Sequence, residues 1–376
     1  MTNIRIIFTA AFMAAVSHVA TAQTSEVRIT VGNSLPQPRT EMVEVEASAL
    51  PASTFVITDS RGGEVPWQLT YDGKIIFPAS VGPEGTAVYN VAPGKPAPID
   101  ERVYVAFYPE RVDDMAWEND YAAYRAYGPA FGESGGAAYG YDVFTKSTTR
   151  PVVPERYFKE LVQKVSYHVD HGDGMDVYDV GPTLGGGATA PVSKDGRLIF
   201  PGAFSEWRIL DNGPLRATFE LTYHYGGGKE TRLITLDAGT PFNHTVCRFE
   251  GFNTDSIAAG VAVHKPAADQ YVTGPDYVAF NDPTTSPGGR GVGRIFVGVI
   301  NPQPGVATYY KPLPEAKGSA VGHALAVSPY SEGSDYSYYW GSSWNKGRIM
   351  SFDGWINTLE DYSRRLRTPL TVSVSR

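Results

Sequence analysis

The segment Tyr167–Gly187, YHVDHGDGMDVYDVGPTLGGG, concentrates groups that move protons. It holds two histidines, four aspartates and two tyrosines beside a glycine cluster. It is too polar and too broken by glycine for an ordinary core element. A histidine among acids suits proton transfer near neutral pH, which makes His168 and His171 candidate acid/base groups. The structural alternative for each is a hydrogen-bonded loop histidine. His168-x-x-His171 is also a spacing that some metal sites use. It lacks the Glu of the helical zinc motif, and Gly172 and Gly174 oppose a helix. Asp170, Asp173 and Asp176 do not follow the spacing of a calcium-binding EF-hand loop. No metal ligand and no cofactor is assigned, a divalent metal being the minority reading. Gly185-Gly186-Gly187 is not a P-loop, since no Lys-Ser/Thr follows it.

Three further places carry usable chemistry. Read as one strand, Trp117–Tyr127 puts Trp117, Asn119, Tyr121, Arg125 and Tyr127 on one face, with Glu118, Asp120 and Tyr124 on the other. A row of aromatic and hydrogen-bonding groups with one arginine suits a saccharide groove. Arg125 can clamp a carboxylate through two parallel bonds. The structural alternative pairs Arg125 with Glu118 or Asp120. His264 and Lys265 end a strand at Val261–Lys265. Tyr336–Gly341 is an aromatic run that reads first as a strand, with Trp340 carried as a sugar platform. No Gly-x-Ser-x-Gly elbow is present.

These groups need a frame, and the chain reads as mainly β. It has 40 Gly and 28 Pro, 23 Tyr, and few long helical periodicities. Short alternating strands such as Val27–Val31, Met42–Glu46, Phe55–Thr58 and Thr86–Val91 predict a small β-sandwich over residues 23–98. Longer strands predict a large antiparallel β-supersandwich over 99–376. Leu215–Tyr223 and Thr231–Leu236 should form a hairpin through Gly226-Gly227-Gly228-Lys229. One short C-terminal helix is expected over 352–367, capped by Asp353, before a last strand at Leu370–Val374.

Arg5, the apolar run Ile6–Val16 and Ala20-Thr21-Ala22 read as a secretory signal over residues 1–22, which predicts a periplasmic or secreted protein. The single cysteine, Cys247, excludes an intramolecular disulfide framework and reads as a buried small hydrophobe. A net charge of −8 argues against nucleic acid as a partner. No amphipathic basic helix points to a membrane. The oligomeric state is open.

Three segments together resemble a known family: PERVDDMAWENDYAAYRAYGPA (Pro109–Ala130), YHVDHGDGMDVYDVGPTLGGG, and FPGAFSEWRILDNGPLRATFELTY (Phe200–Tyr223). They look like the bacterial domain-of-unknown-function family 4861, encoded among polysaccharide-degrading enzymes. The third segment also resembles the galactose-mutarotase-like supersandwich of lyases and epimerases. The resemblance implies an oligosaccharide dehydratase of ulvan breakdown. Such an enzyme eliminates water from a non-reducing-end uronic acid and leaves a 4,5-unsaturated uronyl end. That reaction needs a base for the C5 proton, an acid for the departing C4 hydroxyl, and neutralisation of the carboxylate. His168 or His171 would be the base, and Tyr178 or His264 the acid. Arg125 would hold the carboxylate with help from Asn119. Glu118, Asp176, Lys265 and Trp340 complete the expected substrate-binding set. The expected partner is a uronic-acid-containing oligosaccharide. A polysaccharide lyase would use the same groups. A glycoside hydrolase would need two carboxylates, drawn from Glu118, Asp120 and Asp176. A sugar-binding protein would need only aromatic platforms.

Overall fold

Alternating apolar residues build the N-terminal layer. In the computed structural model, which describes residues 27–284 and 292–376, Val27, Ile29 and Val31 of the first strand turn inward one after another. The signal reading over residues 1–22 lies outside the described residues. The strands Val27–Gly32, Phe55–Thr58, Glu64–Val65 and Thr86–Pro93 form one sheet, and Arg39–Glu46, Gln68–Leu69 and Lys74–Val81 form the sheet facing it. Ile29, Ile57, Phe77 and Val91 are among the residues buried between them. The last strand, Thr371–Ser375, corrects the expected boundary. It pairs antiparallel with Val27–Gly32, Val374 opposite Ile29, so the chain's end completes the N-terminal sheet and leaves the 99–376 unit.

The larger part is an antiparallel supersandwich. Eight strands form its long sheet, in the spatial order Glu206–Asp211, Arg216–Tyr225, Gly228–Asp237, Phe242–Glu250, Tyr336–Trp344, Ile295–Ile300, Tyr277–Asp282 and Tyr271–Thr273. Two four-stranded sheets make the opposing layer. One comprises Tyr104–Tyr108, Asp114–Glu118, Ala123–Ala126 and Asp142–Phe144. The other comprises Thr189–Ser193, Thr254–His264, Ala307–Lys317 and Ala320–Pro329. One apolar core joins all three sheets, from Val105 and Trp117 through Phe219 and Ile257 to Leu325 and Trp340. The mainly β fold class read from sequence is the one observed. Cys247 is fully buried in this core.

The expected hairpin at residues 226–229 forms. Arg216–Tyr225 pairs with Gly228–Asp237, and Gly226 and Gly227 take positive φ (57° and 83°), which only glycine adopts at little cost. The C-terminal helix runs over Phe352–Arg367, but its cap is Ser351, whose Oγ accepts from Gly354 N at 3.1 Å; Asp353 lies in the first turn. Its Trp355 and Leu359 are buried against Phe242 and Phe296 on the outer face of the long sheet. Two shorter helices, Pro129–Glu133 and Val153–Phe158, accompany it. No helix of the described residues is long and apolar enough to cross a membrane.

The stretch 117–127 is not one strand. Asn119 turns the chain: its N–H donates to Ala122 O (3.1 Å) and its Oδ1 accepts from Tyr121 N (2.9 Å). The hairpin places Tyr124 opposite Trp117 and Arg125 opposite Ala116. Trp117 and Tyr124 therefore share the core face, stacked at 5.7 Å, and Arg125 leaves by the other face.

A candidate acid/base cavity

The segment 165–187 crosses the sheet that carries Arg125, without forming a strand of its own. Gly174 lets it approach: a Cβ there would come within 2.2 Å of Thr145 O, and its φ is +107°. Past this glycine the chain is pinned by Thr145 N to Met175 O (2.8 Å) and Asp176 N to Tyr167 O (2.9 Å). The pinning brings His168, Asp176 and Tyr178 to the wall of one cavity of about 570 Å³, opposite Arg125, Tyr127 and Asp142.

Arg125 is the hub of this wall. Its Nη2 donates to Asp142 and to Asp176 Oδ2 (3.1 Å), its Nε to Asp142 Oδ2 (3.0 Å), and its Nη1 to Asp114 Oδ2 and Tyr167 OH at 3.4 and 3.3 Å. Tyr127 OH donates to Asp142 Oδ2 at 2.8 Å. The expected pairing with Glu118 or Asp120 is therefore replaced by three aspartates. The guanidinium fork already holds Asp142, so the free carboxylate clamp expected of Arg125 is not available. Burial, followed by the neighbouring Asp142, raises the Asp176 carboxyl well above the usual range, against the pull of Arg125. A shift in this direction favours the protonated carboxyl, the form that can donate a hydrogen bond.

His168 stands half-exposed at the rim. Its Nδ1 lies 2.9 Å from Asp176 O, and a carbonyl only accepts, so Nδ1 carries a proton and Nε2 is the nitrogen whose lone pair the neutral ring offers. Tyr178 is buried, and its hydroxyl has no hydrogen-bond partner among the described residues. Burial and then Asp282 and Asp142 hold that phenol well above its ordinary pKa, so it is a proton donor. Edge-on behind it, with ring centres 5.6 Å apart, lies His264. Asp282 Oδ2 holds His264 Nδ1 at 2.5 Å, and Nε2 has no partner among the described residues. His323 completes this buried group: its Nε2 accepts from Leu184 N at 3.2 Å, and burial followed by His264 pulls its pKa down to about 3.

The other expected residues go elsewhere. His171 is exposed, binds Ser166 O through Nε2 (2.9 Å), and faces a different cavity from His168. The two do not form a ligand pair. Among the described residues no three His, Cys, Asp or Glu side chains gather as a metal cluster. Glu118 is fully buried, bound to Lys146 Nζ (2.5 Å) and accepting from Val152 N and Val153 N at the start of a helix. Asn119 is spent on its turn and on Asp237 O and Thr240 O, both at 2.7 Å. Trp340 is stacked on Tyr141 inside the core (4.2 Å, 11°) with no exposed face to offer a sugar. Lys265 lies exposed beyond its strand and does not line the cavity. Sequence reasoning missed Asp142, Asp282 and His323. Asp142 begins, Asp282 ends and His323 interrupts an apolar strand, a signal too common to single them out.

A family model described as "Domain of unknown function (DUF4861)" matches residues 31–372. The chain is similar to a protein of Formosa agariphila named "Uncharacterized protein P7", at 26% identity over 388 residues covering 94% of each. Two solved structures from Enterococcus faecalis are similar in trace, each at 8% identity and each covered over 93% of this chain. The alpha-mannosidase from strain V583 has a TM-score of 0.47 and is covered over 46% of its own length. The protein in glycosyl hydrolase family 38 has a TM-score of 0.46 and is covered over 47%. The chain spans about half the length of either.

Proposed function

We propose that this chain, which belongs to the DUF4861 family, is a carbohydrate-active enzyme that eliminates water from a non-reducing-end uronic acid of ulvan-type oligosaccharides. The product is a 4,5-unsaturated uronyl residue. The observation that carries the reading is the cavity whose wall gathers, from one short segment, an imidazole, a buried carboxyl and a phenol without a hydrogen-bond partner among the described residues. His168 Nε2 takes the C5 proton, and the electrons of that bond form the C4=C5 double bond. The C4–oxygen bond breaks, and Tyr178 gives its proton to the departing hydroxyl, which leaves as water. His168 then loses a proton and Tyr178 regains one as the product leaves, restoring both groups.

Negative charge builds on the uronate carboxylate as C5 loses its proton. The neutral Asp176 donates a hydrogen bond to it, and the Arg125 charge behind Asp142 and Asp176 stabilises it at short range. His264, held by Asp282, stands behind the Tyr178 ring as a positioning residue. No metal or cofactor enters this scheme. The apolar run Ile6–Val16 followed by Ala20-Thr21-Ala22, read as a secretory signal, supports placing the enzyme in the periplasm or outside the cell.

Tyr178→Phe tests the assignment. It keeps the ring and removes a hydroxyl with no partner to lose, so stability holds while turnover falls about a hundredfold or more, the scale of a general acid. Turnover within about threefold of wild type would remove Tyr178 from the chemistry.

A further inference from the structure

A second cavity, of about 230 Å³, lies on the other side of the segment Ser166–Gly174 and shares no lining residue with the first. Its walls carry Arg150, Arg156 and Lys159 against Glu155 and Asp173, three cations to two carboxylates, with His171 beside them. Arg156 is the unusual member. Its side chain is 6% exposed, and its Nη2 donates to Thr145 O (3.1 Å), Asp173 O (2.8 Å) and Asp173 Oδ1 (3.2 Å). Its Nε and Nη1 are buried with no acceptor among the described residues.

A guanidinium stays charged in proteins, and a buried N–H without an acceptor is costly, so folded proteins leave few of them. Nothing nearby relieves this one. Glu155 is taken by Arg150 Nη1 (2.9 Å) and Lys159 Nζ (2.6 Å), and Asp173 already meets Arg156 through Nη2. The guanidinium is also held in place. Gly174 lies so close that a Cβ there would sit 2.9 Å from Nη2. Asp170 also approaches this wall, its Oδ1 accepting from Gly172 N (2.8 Å) and Gly174 N (3.0 Å), so carboxylates balance the cations and the unmet donors are those of the buried arginine. Arg150 and Lys159 are 56% and 39% exposed, so their pairs with Glu155 are weak and free to rearrange.

We infer that this cavity binds a compact oxyanion, a sulfate or carboxylate group, with Arg156 as the buried donor and Arg150 and Lys159 at the rim. A free inorganic anion and a substituent on a saccharide share that chemistry. The inference does not depend on the elimination reaction, because no residue of the first cavity takes part in it.

The test is calorimetric titration of the mature chain with inorganic sulfate and with a monosaccharide sulfate, the ionic strength held constant with chloride. Saturable binding is expected. It should weaken at least tenfold in Arg150→Ala/Lys159→Ala and vanish in Arg156→Gln. Arg156 also holds the backbone of Thr145 and Asp173, so a melting curve accompanies that variant, and the rim variant decides if it does not fold. Equal affinity for both probes identifies a free-anion site, and tenfold tighter binding of the sugar sulfate identifies a saccharide subsite. The inference is overturned if neither probe saturates, or if binding is unchanged in every variant that folds.

Discussion

At the scale of single residues, the two histidines of one short motif separate. His168 has its Nδ1 tied to a carbonyl of the wall that carries Arg125 and Asp176, and His171 is tied to Ser166 O beside another cavity. His168→Ala should therefore cut turnover by about a hundredfold or more. His171→Ala should leave it within about threefold, as steady-state kinetics of the two variants will show. Equal losses would mean that the loop as a whole, and not one imidazole, supports activity. Asp176 gives a pH signature. Its folded pKa is raised by burial and by Asp142, so the neutral form persists above the ordinary aspartate range. Activity that needs the neutral carboxyl is present at lower pH and lost as pH rises through the folded pKa. The stability contributed by this group runs in the same direction, because ionising it costs more folded than unfolded. Asp176→Asn keeps a neutral hydrogen-bond donor at every pH. It should retain part of the activity and lose that decline with rising pH in both the rate profile and the melting temperature. An unchanged decline would assign it to another group. Both positions, His168 and Asp176, stand out in the sequence as candidates, and both line the cavity. Which histidine faced the cavity was not legible there, because it depends on hydrogen bonds to backbone carbonyls that spacing does not encode.

At the scale of elements, strands announced by alternation and by glycine turns were read correctly, as the hairpin at Gly226-Gly227 shows. The stretch 117–127 was misread because its turn contains neither glycine nor proline. Asn119 makes that turn with its side chain, so the faces after it reverse. This reversal sends Arg125 to the cavity wall and makes Glu118 a structural group. Glu118 anchors the helix Val153–Phe158 through two backbone N–H groups and neutralises the buried Lys146, whose pKa burial pulls down. Removing one partner of a buried pair leaves an uncompensated charge. Glu118→Ala should therefore lower stability by about 3–5 kcal/mol in denaturant unfolding. A change below about 0.5 kcal/mol, the range of surface substitutions, would show that the pair is dispensable.

At the scale of the whole molecule, the fold explains why the reactive groups stay apart from the bulk of the aromatic side chains. Trp117, Tyr124, Tyr141 and Trp340 pack against one another between the sheets and hold the long sheet to the Arg125 sheet. The sequence reading took Tyr336–Gly341 first as a strand, as observed, but carried Trp340 as a sugar platform, because composition does not distinguish an inner face from an outer one. The strand Thr371–Ser375 was legible as a strand, but its place in the N-terminal sheet was not. Its partner Val27–Gly32 lies at the other end of the described chain, and local pattern carries no information on so distant a pairing. The groups proposed to act come from an irregular segment laid across a sheet, an arrangement in which loops carry function and sheets supply position. The central claim is that this cavity eliminates water without cutting the chain. Incubating the wild-type protein with uronic-acid-terminated oligosaccharides, while following ultraviolet absorbance and product mass together, tests it most directly. The account predicts growing absorbance from the unsaturated uronate and a product lighter by one water with the same number of sugar units. Shortened chains would contradict it: with absorbance they would show a lyase, and without it a hydrolase.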